Sequence, residues 1–174
     1  PALLAGQVSL RRLGAAYRRV PSVRAGDAAD ISSRGADVIR PGLEESAWLV
    51  VKSLIVSGVS MSVAGNSRPA SGSEHMFSHT LDQLAPGTAY HGEQVGVGDI
   101  MMMYLHGGDW RAIREALHKV VATTTAAPLG VPKALVIHSL CKAHLTRPAR
   151  YTIFGDKGLT REAAEDLVRV TGVA

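Results

Sequence analysis

The sequence predicts an all-α fold, and three observations carry that expectation. Apolar residues recur at helical spacing along most of the chain from Leu43 onward. Helix-stopping residues divide those segments: Gly65 and Pro69, Pro86 and Gly87, Gly107 and Gly108, and Gly172. Strand-like alternation is nearly absent. With 174 residues, 46% hydrophobic and 20% charged, the chain can bury one globular core and does not read as disordered.

The first 24 residues mix Leu and Val with arginine and suggest a helix, then an extended stretch ending at Pro21. Gly26-Asp27-Ala28-Ala29-Asp30 reads as a turn feeding a helix start, and Ser32 to Gly42 as a linker. We expect an N-terminal segment, 1–42, and a helical domain, 43–174. Leu43 to Ser57 is the best amphipathic helix, with Glu44 and Glu45 at its positive end and Trp48, Val51, Leu54 and Ile55 as its buried stripe. A loop is expected over Val59 to Ser71. The stretch Ala47 to Ala64 is apolar, but Lys52 and its serines favour a buried helix over a membrane span.

Gly72 to Leu84 and His91 to Leu105 are the next two helices, the second apolar almost all round and so expected to be buried. Asp109 should cap a helix over Trp110 to Val121, and Thr123 to Pro132 connects it to another over Pro132 to Leu145. Arg147 to Leu159 reads as a loop with a short extended piece, Tyr151-Thr152-Ile153-Phe154. Thr160 caps a last helix with Glu162 in its first turn and Gly172 past its end.

The chemistry is concentrated in Ser73-Glu74-His75-Met76-Phe77-Ser78-His79 and Tyr90-His91-Gly92-Glu93-Gln94. His75 and His79 are four apart and share a helix face; His91 follows His75 by 91 − 75 = 16 residues and opens the next helix. Neutral imidazoles on neighbouring helices suit a divalent metal. Asp27 offers an upstream carboxylate, though alone it reads more readily as a helix cap than as a ligand. Glu74, adjacent to His75, is expected to point elsewhere. There is no His-Glu-x-x-His string, which argues against a metalloprotease. The loop Ser67-Arg68-Pro69-Ala70-Ser71-Gly72-Ser73, ahead of a helix N-terminus, would suit a phosphate, with Arg68 as its partner. Gly92, Gly96 and Gly98 are not a dinucleotide fingerprint; glycine here would permit close helix contact. Met101 to Met103 are core filler, and His106, His118, His138 and His144 are structural or surface residues.

The formal charge of +4 and pI near 9.5 are mild, and no aromatic-interleaved basic helix supports nucleic-acid binding. The single cysteine, Cys141, excludes an internal disulfide and points to a reducing, cytoplasmic setting. Pro1 to Leu4 carries no basic leader of the secretory type.

Ser57-Gly58-Val59, the run Ser67 to His75, Phe77-Ser78-His79 and His91-Gly92-Glu93-Gln94-Val95-Gly96 together resemble the sn-glycerol-1-phosphate dehydrogenases. These belong to the iron-alcohol-dehydrogenase and dehydroquinate-synthase-like superfamily. Arg147-Pro148, Arg150-Tyr151-Thr152-Ile153 and Gly158-Leu159-Thr160 match the family's C-terminal stretch. The resemblance implies the helical, C-terminal metal-binding domain of a two-domain dehydrogenase, with the nucleotide-binding α/β domain absent from this chain. It implies a metal held by Asp27, His75 and His91, with Asp27 and His79 facing the substrate. Zn2+ is the usual ion and Fe2+ suits the same donors; the cofactor would be NAD(P)H. The substrate pair would be dihydroxyacetone phosphate and sn-glycerol 1-phosphate, in archaeal-type phospholipid biosynthesis, and a homo-oligomer is compatible. Between Ser32 and Leu43 the family carries a longer helical stretch. The rival reading is a non-catalytic helical metal-binding or oligomerisation module; a zinc hydrolase is a weaker third, lacking a clearly placed general base.

Overall fold

The computed structural model describes residues 35–174, so Asp27 and the first 34 residues lie outside the described part. Among the described residues the chain is all-helical, as expected. It forms α1 (Glu44–Ala64), α2 (Ser73–Leu84), α3 (His91–Leu105), α4 (Trp110–Lys119), α5 (Lys133–Lys142), a 3-10 turn (Ala143–Leu145) and α6 (Arg161–Thr171).

The ends follow local chemistry. Asp109 Oδ1 accepts the Ala112 N–H at 3.0 Å and starts α4, and Thr160 Oγ1 does the same for α6 through Ala163 at 3.2 Å. At the start of α3, Glu93 reaches back to the Tyr90 N–H at 3.3 Å. Gly65 and Gly172 close α1 and α6 at φ 68° and 58°, a left-handed conformation that glycine adopts without strain.

The core forms where α2 lies along α3, with α5 and α6 closing over the pair and α4 packed against α3. Met76, Phe77 and Leu81 from α2 meet Val97, Ile100, Met101 and Met102 from α3, with Val136 and Leu140 from α5 and Leu167 and Val168 from α6. Met101 and Met102 are filler, as their composition suggested. Glycine does permit close contact at Gly98: a Cβ there would sit 3.2 Å from the Glu74 carbonyl oxygen and 3.3 Å from its Cα. Gly92, by contrast, faces open space.

Three expectations need correction. The first helix does not stop near Ser57 but runs to Ala64, because the cost of Gly58, about 1 kcal/mol, is too small to break it before the left-handed turn at Gly65. Nor is its apolar stripe buried: Trp48, Val51, Leu54 and Ile55 are exposed, while Ser46, Ser53, Ser60 and Ala64 are covered. Serines Ser53 and Ser60 turn their hydroxyls back onto the Leu49 and Val56 carbonyls, so the buried face satisfies its own polar groups. Among the described residues α1 is the one helix long and apolar enough to cross a membrane, with a mean hydropathy of 1.7 and only 17% of its window buried. It is therefore not the buried helix the composition favoured.

Lastly, Tyr151 to Phe154 is not extended. A turn closes from the Thr152 carbonyl to the Gly155 N–H at 3.0 Å, Gly155 sits at φ 64°, and Phe154 plugs into the core.

His118 and His138 are on the surface. His106 and His144 are partly buried, and His106 Nε2 and His144 Nδ1 have no hydrogen-bond partner among the described residues. Burial holds His106 down, to about 4. An unfolded histidine titrates near ~6.5, so between these values the unfolded chain binds the extra proton. His106 thus costs no stability above that range, and stability is lost as pH falls through it. His106→Gln should flatten the decline in melting temperature between roughly pH 6.5 and 4; an unchanged slope would contradict this reading.

A second test concerns the helix seam. Gly98→Ala should destabilise the chain by about 1–3 kcal/mol in urea unfolding, because the methyl meets backbone that cannot move aside. Gly92→Ala, on an open helical face, should be neutral or stabilising by up to about 1 kcal/mol. Equal responses would mean that the seam is looser than described.

Candidate functional site

Three imidazoles from two helices meet at the α2–α3 seam. Their ring centroids are 5.1 Å apart for His75 and His91, 5.2 Å for His79 and His91, and 6.3 Å for His75 and His79. His91, Gln94 and Gly98 recur at i, i+3 and i+7 and so face α2 together. Contact at Gly98 with Glu74 sets the register in which this stripe meets the histidines of α2.

The hydrogen bonds give the three rings one tautomer, with the proton on Nδ1, but commit different nitrogens. Glu74 Oε1 lies 2.9 Å from His75 Nδ1 and also accepts the Gly72 N–H at 2.6 Å. Burial alone would raise the Glu74 carboxyl, but the bonds from His75 and Gly72 outweigh it and hold it below its ordinary value. A carboxylate only accepts, so His75 carries its proton on Nδ1 and keeps a lone pair on Nε2. The expectation that Glu74 points away is corrected here: in the first turn of the helix its side chain folds back toward Gly72 and meets the ring on the way.

At His91 the assignment runs through a chain of bonds. Gln94 Nε2 donates to Asp82 Oδ1 at 3.0 Å and to the Ala89 carbonyl at 3.2 Å, which turns its oxygen toward Ser78. Ser78 spends its one hydroxyl hydrogen on that oxygen at 2.5 Å. Its Oγ must therefore accept from His91 Nδ1, 2.7 Å away, leaving the His91 Nε2 lone pair free.

At His79 it is the other nitrogen, Nε2, that is committed. Arg147 Nη2 lies 3.1 Å from His79 Nε2, and a guanidinium only donates, so Nε2 accepts and the ring hydrogen sits on Nδ1. Burial first, then the charges of Arg147, His91 and His75, depress the His79 pKa and favour the neutral ring.

Two overlapping donor groups follow. The ligand atoms of His79, Asp82 and His91 lie within 4.8 Å of one another. His75 and His91 form the other pair, and the hydrogen bonds favour it: both present an uncommitted Nε2 lone pair, each ring being held from behind through Nδ1. That arrangement, an acceptor bonded to the far nitrogen of each ring, is what orients imidazoles for a divalent cation. In the His79 group the arginine already occupies Nε2.

The predicted site residues thus divide. His75, His79 and His91 come together; Asp27 lies outside the described residues. Arg68 is exposed, and its backbone N–H donates to Asn66 Oδ1 at 2.9 Å. The arginine that grips the Ser67–Ser71 loop is Arg150, through the Ser71 carbonyl at 2.8 Å, Ser71 Oγ at 3.3 Å and Ser67 Oγ at 3.2 Å. Ser78, Asp82 and Gln94 went unnoticed in the sequence, although each stands three residues from a histidine and so shares its helix face. Nothing local marks Arg147 or Arg150.

No protein-family model matches the chain. Its relatives among curated proteins are dehydrogenases. It is 62% identical over 140 residues to the glycerol-1-phosphate dehydrogenase (NAD(P)+) of Methanothermobacter thermautotrophicus, covering 80% of this chain and 40% of that protein. The namesake from Methanosarcina mazei is 58% identical over 146 residues, 84% of this chain and 41% of that one. For Methanosphaera stadtmanae the figures are 60% over 138 residues, 79% and 40%. The chain is thus a homologue of glycerol-1-phosphate dehydrogenase and spans about two-fifths of the length of the curated relatives it matches.

The bond from Ser78 to His91 has a measurable consequence. Ser78→Ala should weaken zinc binding about 10- to 100-fold in competition with a chelator, since it frees the His91 ring to rotate and change tautomer. Unchanged affinity would show that the hydroxyl does not orient the ring.

Proposed function

We propose that this chain supplies the metal- and substrate-binding part of a glycerol-1-phosphate dehydrogenase. The reaction is the reduction of dihydroxyacetone phosphate by NAD(P)H to sn-glycerol 1-phosphate, a cytoplasmic step of archaeal-type phospholipid biosynthesis. The observation that carries the proposal is the division of labour among the three imidazoles: two present lone pairs, and the third presents an N–H. The relatives' name supports the same reading.

In it His75 and His91 hold a divalent ion, zinc or ferrous iron, with Asp27 as the carboxylate that the family resemblance implies. When bound, the ion supplies Lewis-acid polarisation of the ketone C=O and stabilises the negative charge that develops on its oxygen. His79 contributes what a ligand cannot. With Nε2 held by Arg147 and a proton on Nδ1, it donates a hydrogen bond to the substrate and orients it. NAD(P)H, when bound, would supply the hydride for the carbonyl carbon, and a proton from solvent would complete the alcohol as the C=O π pair goes to oxygen. Glu74 and the Ser78–Gln94 pair take no part in the bond changes and keep the two rings in their tautomers.

The rival, a helical module without catalysis, is favoured by the chain's coverage of only two-fifths of its relatives. One titration series separates them. Zinc added to the full chain should saturate at about one equivalent, and His75→Ala or His91→Ala should each abolish that step. Dihydroxyacetone phosphate should then bind the zinc-loaded chain, and drive NADH oxidation when the nucleotide-binding part is supplied. Zinc binding without binding of dihydroxyacetone phosphate would leave the module reading; no zinc binding would remove the proposal altogether.

A further inference from the structure

Every hydrogen bond in the chain behind His91 points the same way. Starting from the imidazole, His91 Nδ1 donates to Ser78 Oγ, Ser78 to Gln94 Oε1, and Gln94 Nε2 to Asp82 Oδ1, at 2.7, 2.5 and 3.0 Å. The four side chains alternate across the seam. Ser78 and Asp82 stand one turn apart on α2, and His91 and Gln94 one turn apart on α3. Gln94 and Ser78 are 1% and 0% exposed, so solvent offers them no competing donor or acceptor.

A hydroxyl has no direction of its own, since it donates or accepts as its neighbours require. A glutamine amide takes its direction from whatever holds its two ends, because turned over it fills the same space. Two groups hold the Gln94 nitrogen, and both can only accept: the Asp82 carboxylate, and the Ala89 carbonyl at 3.2 Å. Turning the amide over would set its oxygen against both of theirs. It would also aim Nε2 at Ser78 and release the serine hydrogen toward His91 Nδ1. The ring proton would then move to Nε2, the nitrogen left free for the ion. Asp82 thus bears on the His91 lone pair across three hydrogen bonds.

We infer that Asp82 and the Ala89 carbonyl are the positioning groups that decide which nitrogen of His91 meets the metal. Asp82 also lies close enough to be a ligand, since its oxygen and the nitrogens of His79 and His91 fall within 4.8 Å of one another. In that grouping, however, His79 is engaged by Arg147 and Asp82 by Gln94. The inference rests on the metal-site reading for what the lone pair serves; the direction of the hydrogen-bond chain does not.

The test reads the His91 tautomer and the zinc affinity separately, both on the full chain. Proton–nitrogen NMR of the metal-free, histidine-labelled protein near pH ~8, where free imidazole is neutral, should place the His91 hydrogen on Nδ1. Gln94→Leu removes the acceptor, so the Ser78 hydrogen turns to the ring. The His91 hydrogen should move to Nε2, and zinc affinity in competition with a chelator should fall about 10- to 100-fold. His75, held by Glu74, should keep its hydrogen on Nδ1 in the same spectrum.

Asp82→Asn still presents an oxygen to Gln94, and should keep the tautomer and lose no more than about fivefold in affinity. Joined to Gln94→Glu it reverses the Asp82–Gln94 bond: the new amide donates to the new carboxylate, which still accepts from Ser78. This nearly isosteric double variant should likewise hold the His91 hydrogen on Nδ1 and bind zinc within about fivefold of wild type.

The inference is overturned if the His91 hydrogen stays on Nδ1 in Gln94→Leu. It is overturned equally if Asp82→Asn or the double variant loses zinc as completely as His91→Ala with the tautomer unchanged, which would make Asp82 a ligand. A tautomer that follows these substitutions in a chain that binds no zinc would sustain the direction of the chain and count against the metal reading instead.

Discussion

The approach of α3 to α2 at Gly98 is the contact on which the site depends. Because Gly98 has no side chain, the α3 backbone there can lie against the Glu74 backbone. Two turns away on the same face of α3, His91 then arrives beside the α2 histidines, and Gln94 beside Ser78. A bulkier residue at this point would widen the seam. The rings 5.1 and 5.2 Å apart would separate, and the hydrogen-bond chain from Asp82 through Gln94 and Ser78 to His91 would break with them.

That hydrogen-bond chain converts packing into chemistry. Imidazole is ambiguous by itself, since either nitrogen can carry the proton. Here every ambiguity is resolved by a neighbour that can only donate or only accept: Glu74 for His75, Arg147 for His79, and Ser78, with its single hydrogen already committed, for His91. The charges around the seam are balanced with the same economy. Burial and the Glu74 charge push the neighbouring Asp99 carboxyl up to about 7, so the seam does not hold two full negative charges at neutral pH.

Helix α1 stands outside this logic. The core is closed by α2, α3, α5 and α6, while α1 turns Trp48, Leu54 and Ile55 to solvent and covers serines. An apolar face of this extent is unusual for a surface helix, and it shows why hydrophobic periodicity misjudged the element. Periodicity identifies which residues share a face, but not whether anything lies against that face.

Much was legible in the chain by itself. The number of helices among the described residues, and their approximate bounds apart from the end of α1, followed from apolar spacing and from Asp109, Thr160 and Gly172, because caps and helix stops are local physics within a turn of the residue that causes them. The grouping of His75 and His79 followed from the helical repeat, and the motif block around them led to the dehydrogenases. What the sequence could not settle was pairing between distant segments. Arg147 meets His79 across 68 positions and Arg150 meets Ser71 across 79. Glu74 folds back on His75, and the apolar stripe of α1 stays uncovered. Only the tertiary structure decides such matters, because they depend on which helices pack together and at what distance, and no local pattern encodes either.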